Sequence, residues 1–156
     1  MRDPVTYTGD IPGDLTLNKG DIVTALTSVG GSVDVRPGGT FDAPALTSVG
    51  GYDLPDPETA RNRLVEVAKA ALADPANLTM ELWHNESGQC GTSHCIAGWA
   101  VHLAGREGYE LEGKVSQRAA GNILLGIEAS KLFFLDNDAA RSALHKVLAD
   151  AGEPLP

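Results

Sequence analysis

Over the first 55 residues, apolar positions come in short alternating words. Leu15-Thr16-Leu17, Val33-Asp34-Val35 and Tyr52-Asp53-Leu54 each put apolar side chains on one face and a polar one on the other, the period of a half-buried strand. The hexapeptide Leu26-Thr27-Ser28-Val29-Gly30-Gly31 returns unchanged as Leu46-Thr47-Ser48-Val49-Gly50-Gly51, an offset of 20 residues. A repeat of that length is the mark of stacked circuits of chain, in which Leu and Val of one circuit lie on their equivalents in the next and the Gly pair turns a corner. Val33 and Val35 are expected to point inward and Asp34 outward.

From residue 56 the period changes to that of helices. Asp56 offers an N-cap, Pro57 fits the first helical position, and Glu58 suits the positive end of the helix dipole. Leu64, Val67, Ala68, Ala71 and Leu72 follow at helical spacing until Asp74-Pro75. Leu78 to Trp83 alternates without deciding between an extended segment and a turn of helix. Further helices are expected from about His94 to Ala104, ended by Gly105; from a cap at Ser116 through Leu125; over Glu128–Phe134; and from a cap at Asn137 or Asp138 to Gly152.

The expected class is α+β: a short parallel β-solenoid over residues 1–55, capped by a bundle of about five helices over 56–156, in one compact body. Two or three circuits bury their apolar faces only against neighbours, so the helical half has to close the open end. The first circuit is left open to residues 1–13, or to a second copy adding at the sheet edge as a homo-oligomer. Residues 14–54 resemble leucine-rich-repeat-like β-solenoids whose coils carry the same LTSVGG word.

Charge and composition narrow the partners. The chain has 156 residues, with 12 Lys and Arg against 21 Asp and Glu, a net charge of −9. Direct binding to nucleic acid or to an anionic membrane requires clustered cations, which this balance does not supply. No apolar run is long enough to span a bilayer and no charged-then-apolar leader opens the sequence, so a cytoplasmic protein is expected.

Chemistry-bearing residues crowd into Trp83–Trp99, which holds both cysteines, both tryptophans and two of the four histidines. A thiol nucleophile at Cys95 would stand at a helix N-terminus, where the dipole lowers a thiol pKa. The run Gly88–Cys95 is similar to the entry of papain-type cysteine proteases, although two extra residues separate Cys90 from Cys95, no Trp follows directly, and the only candidate for the partner histidine far downstream, His145, is expected in a helix. A zinc site would draw on His84, Cys90, His94 and Cys95, although the two histidines do not stand at the usual H-x3–5-H spacing. A Cys90–Cys95 disulfide is a third reading, disfavoured in a reducing compartment. In the fourth, Cys95, Trp99 and His102 share one helical face and simply pack. No cofactor is expected.

The wording Cys90-Gly91-Thr92, then Cys95-Ile96-Ala97-Gly98-Trp99-Ala100, resembles a segment of small uncharacterised proteins of phages, prophages and bacteria over about residues 57–150. This resemblance implies a mobile-element setting and no defined activity. Two functions from different classes follow. One is a protein-binding module that presents Thr27, Asp34, Arg36, Thr47 and Asp53 to a basic host or phage protein, in the manner of inhibitors that occupy the nucleic-acid groove of restriction or CRISPR nucleases. The other is a thiol enzyme, hydrolase or redox, using Cys95 with Cys90 or His94.

Overall fold

The computed structural model describes residues 3–82, 84–85 (backbone only) and 93–156. The chain is α+β, with its parallel strands in the N-terminal half. Strands β1 (Thr6–Ile11), β3 (Ile22–Val29) and β5 (Ser48–Val49) run parallel in one sheet, joined at its far edge by β6 (Tyr52–Asp53). Strands β2 (Leu15–Leu17) and β4 (Val33–Val35) form a second, parallel sheet. The chain thus passes alternately from one sheet to the other.

The repeat sets the registers. Ser28 lies beside Ser48 and Val29 beside Val49, at the offset of the repeated hexapeptide. Leu15, Thr16 and Leu17 lie beside Val33, Asp34 and Val35. Leu15, Leu17, Leu26, Val29, Val33, Val35 and Val49 are all at most 1% exposed and fill the space between the sheets. The outermost strand is β1, so residues 6–11 occupy the edge that the sequence left open; its pairing with β3 shifts register on either side of Gly9, an irregularity that hinders addition of a further strand.

The third alternating word departs from expectation. Tyr52-Asp53 does not extend the β2–β4 sheet but doubles back antiparallel on β5. Gly50 and Gly51 have φ of 60° and 85°, and two successive positive φ values make a tight hairpin turn. The first pair, Gly30-Gly31, has ordinary φ and serves another need. A Cβ on Gly30 would overlap the carbonyl of Pro12, and one on Gly31 would overlap the Asp14 carboxylate. One hexapeptide therefore supports a close approach in the first case and a reversal in the second.

Helix α1 (Pro57–Leu72) begins as its sequence foretells, with Asp56 accepting from the Thr59 N–H at 2.9 Å. A 3-10 turn (Pro75–Asn77) leads into the short antiparallel pair β7 (His84–Asn85) and β8 (Ser93–His94). Then come α2 (Ile96–Leu103), α3 (Gly105–Lys114), α4 (Gln117–Leu125), a 3-10 segment (Glu128–Phe134) and α5 (Asn137–Asp150). Longer helical segments thus number six among the described residues, because Gly105, at φ 67°, ends α2 and also starts α3. Asp136 caps α5 in place of Asn137 or Asp138, and the Asn137 side chain instead accepts from the Met80 N–H at 2.8 Å.

Helix α4 joins the halves. Ala119 and Ile123 on this helix, and Ile127 just beyond it, complete the apolar layer between the sheets. Ser32 and Arg36 pair with β2, which turns the Val33 N–H and carbonyl toward the outer edge of β4. Asn122, fully buried, meets both: its Oδ1 accepts from the Val33 N–H at 2.9 Å and its Nδ2 donates to the Val33 carbonyl at 3.1 Å. A side-chain amide on a helix thereby takes the place of a neighbouring strand. Among the described residues no helix is long and apolar enough to cross a membrane.

Candidate functional site

The residues singled out around Cys95 form a packed aromatic corner. Cys95 is the N-cap of α2; its Sγ accepts from the Gly98 N–H at 3.3 Å. Ser93 and His94 instead belong to β8, where the His94 carbonyl accepts from the Thr79 N–H. The His94 ring is fully buried, stacks on His102 with centroids 4.5 Å apart, and meets the Trp99 ring edge-on at 4.8 Å. Trp99 donates its indole N–H to the Asn77 carbonyl at 2.9 Å, and His102 Nδ1 lies 2.9 Å from the Tyr109 hydroxyl. The corner thus ties α2 to the Pro75–Asn77 turn on one side and to α3 on the other.

The electrostatics of Cys95 run against a nucleophile. The helix N-terminus does act on the thiol, through the Gly98 N–H, in the direction that favours a thiolate. Burial acts more strongly the other way and pushes the thiol up to about 11, from an ordinary 9.0. A free thiol, 7% exposed and protonated at neutral pH, is a packing group. Burial and the raised thiol therefore weigh for the packing reading of Cys95 against the poised attacker, and His94 stacks against Trp99 and His102. Cys90 and the side chain of His84 lie outside the described residues, and with them the zinc reading and the second cysteine. Among the described residues no group of three or more His, Cys, Asp or Glu converges as a metal site.

The five residues expected on a contact face do not share one. Thr27, Thr47 and Asp53 are exposed on the side of the four-stranded sheet. Along that sheet Asp10, Ser28, Ser48 and Asp53 stand in register, forming a polar row. Asp10 accepts from both the Thr27 and Ser28 hydroxyls at 2.7 Å, which hold its carboxyl below the usual range. Arg36 is exposed beyond β4, its guanidinium 4.5 Å from the centre of the Phe134 ring. Asp34 corrects the expectation of an outward acid: it is 4% exposed, bridged by Arg118 at 2.8 Å. Helix α4 and the Glu128–Phe134 segment cover the face that alternation in β4 assigns to solvent.

The surface of the described residues includes two clefts of note besides a recess at the Gly30 corner. One, of about 680 Å³, lies where residues 41–46 and 54–57 meet α1 and the Glu128–Phe134 segment. Phe41, Leu46, Leu54 and Leu64 line it, and its charged residues are two of each sign, Asp42 and Glu128 against Arg61 and Lys131. The other runs between α1 and α3. The residues that sequence reasoning missed are Asn122, Arg118 and Tyr109. Each acts through a partner on a different element, and only an Asn inside an otherwise apolar helical stripe (Ala119, Ile123) signalled the first.

No known protein family, curated protein or solved structure matches the chain.

Proposed function

We propose that this is a small acidic protein-binding module of the mobile-element type, cytoplasmic, whose partner is a protein with a basic surface such as the nucleic-acid groove of a host defence nuclease. The observation that carries the reading is the charge: 21 acids against 12 cations. Several of these acids, among them Asp53, Glu58, Glu107 and Asp138, are exposed. An anionic surface of this kind steers a basic partner and competes for the place of phosphates. The burial of Cys95 supports a binder over a thiol enzyme. In the same reading the two parallel sheets are the circuits of a short β-solenoid, a rigid support that loses little entropy on binding.

The test is competition. A panel of purified restriction and RNA-guided nucleases, each bound to labelled duplex DNA, is titrated with the protein. Release of DNA from one member near stoichiometric protein, weakened by Asp53→Lys and by added salt, is the expected result. If DNA stays bound throughout the panel and sedimentation detects no complex with any member, the proposal fails.

A further inference from the structure

The cleft between α1 and α3 has the features of a docking groove. It encloses about 780 Å³, within the size range of sites that hold ligands. Helices α1 and α3 both pack on α2, and the trough between them is floored by Val67, Ala100, Leu103 and Leu111. Leu103 is 48% exposed and Tyr52, at the end of the trough, 37%; among the described residues they are two of the six large apolar side chains left open to water. Exposed apolar side chains gathered along one groove, rather than scattered singly, mark a place for a partner.

Charge and backbone chemistry select the occupant. The walls carry Glu66 and Glu107. Glu107 makes no ion pair among the described residues, and Glu66 has only the solvent-exposed partner Lys69 at 3.1 Å. The one cation of the lining, Arg63, is turned onto the Leu124 carbonyl at 3.0 Å. The walls are mostly helical, and a helix laid in such a trough brings its own backbone hydrogen bonds and offers only side chains to it.

We propose that this groove receives an amphipathic helix of a partner protein, its apolar stripe on Leu103 and Tyr52 and its flanking Lys or Arg beside Glu66 and Glu107. The proposal rests on the reading of the protein as a binder of basic partners and names the surface used. The occupied groove becomes a three-helix arrangement in which Leu103 is the central buried anchor.

The probe is a synthetic peptide of about 18 residues, five turns of helix, with Leu on one face and Lys on the other. Two controls accompany it, a scrambled isomer and a counterpart with Glu replacing Lys. Each is titrated into the full chain, labelled with ¹⁵N. The Leu/Lys peptide is expected to bind with shifts grouped at Tyr52, Leu103 and Glu107, and roughly tenfold more weakly to Leu103→Lys or Glu107→Lys, as for loss of an interface anchor. Both positions are solvent-exposed, and circular dichroism verifies that the variants keep the fold. Equal binding of the scrambled isomer, shifts grouped elsewhere, or unchanged affinity of Leu103→Lys overturns the proposal. So does sedimentation showing that the groove is instead filled by a second copy. A nuclease from the competition panel that is still held at full strength by Leu103→Lys refutes the groove and leaves the binding function standing. A peptide seated in the groove, with no member of the panel bound, supports the groove and refutes the nuclease reading.

Discussion

Replacing Asn122 with Ala isolates the contact by which the helical half closes the sheet. The amide makes two hydrogen bonds to one residue, at 2.9 and 3.1 Å, and both Val33 groups lie in a site where Asn122 itself has no solvent exposure. Ala removes both partners and leaves a peptide N–H and a carbonyl buried. Each unsatisfied group costs roughly 1–3 kcal/mol, and because the two share one residue and relax together, the expected total is about 2–4 kcal/mol. For a chain of this size that corresponds to a melting temperature lower by roughly 4–16 °C. The assay is urea unfolding followed by circular dichroism and tryptophan fluorescence, where the midpoint should fall with little change in slope. Asn122→Asp should be worse than Ala, because its second oxygen faces the Val33 carbonyl and its charge is buried. A loss below about 0.5 kcal/mol for Ala, the range of ordinary surface substitutions, would show that water or a shift of α4 replaces the amide and that the contact does not hold the halves together.

Two further outcomes follow from burial. Because the folded Cys95 thiol titrates at about 11, above the ordinary 9.0, its contribution to stability is complete below pH 9 and is lost as pH rises toward 11. That contribution is at most about 3 kcal/mol, from roughly 1.4 kcal/mol per unit; iodoacetamide labelling of Cys95, read by peptide mass spectrometry at pH 8.5, should be far slower in the native chain than in urea, and equal rates would contradict its burial. Val49→Asp puts a carboxylate where the side chain has no exposure, beside Val29. The variant should lose the cooperative melt of the parent, with a cost of several kcal/mol, and an unchanged melting temperature would mean that the position does not face the interior.

Local signals were legible wherever the cause is local. The Asp56-Pro57 start of α1 and the Ser116 cap of α4, which accepts from the Ala119 N–H at 3.1 Å, depend on side chains acting within a few residues of themselves. The registers of β2 on β4 and β3 on β5 were legible because a repeat carries its own spacing. What escaped depended on distant chain. Asp34 reads as outward from its strand, yet Arg118, 84 residues later, covers it. Tyr52-Asp53 reads as another strand of the stack, but the backbone at Gly50-Gly51 reverses it, and an identical Gly pair earlier in the chain does not reverse. Gly105 reads as a stop, and the packing of Gly108 against the Val101 carbonyl, where a Cβ would not fit, shows how closely α3 folds back on α2 beyond it. At the candidate site, the described members of the crowded segment, His94, Cys95 and Trp99, lie together with His102, and the state of the thiol turns on burial, which no spacing reveals.

The amide of Asn122 also determines where the molecule's growth stops. A parallel sheet can take a further strand at its outer side, and here that side of β4 is closed: the amide meets the Val33 backbone whatever side chain stands there, while Arg118, one turn earlier on the same helix, pairs with the Asp34 carboxylate and fixes the helix at this strand alone.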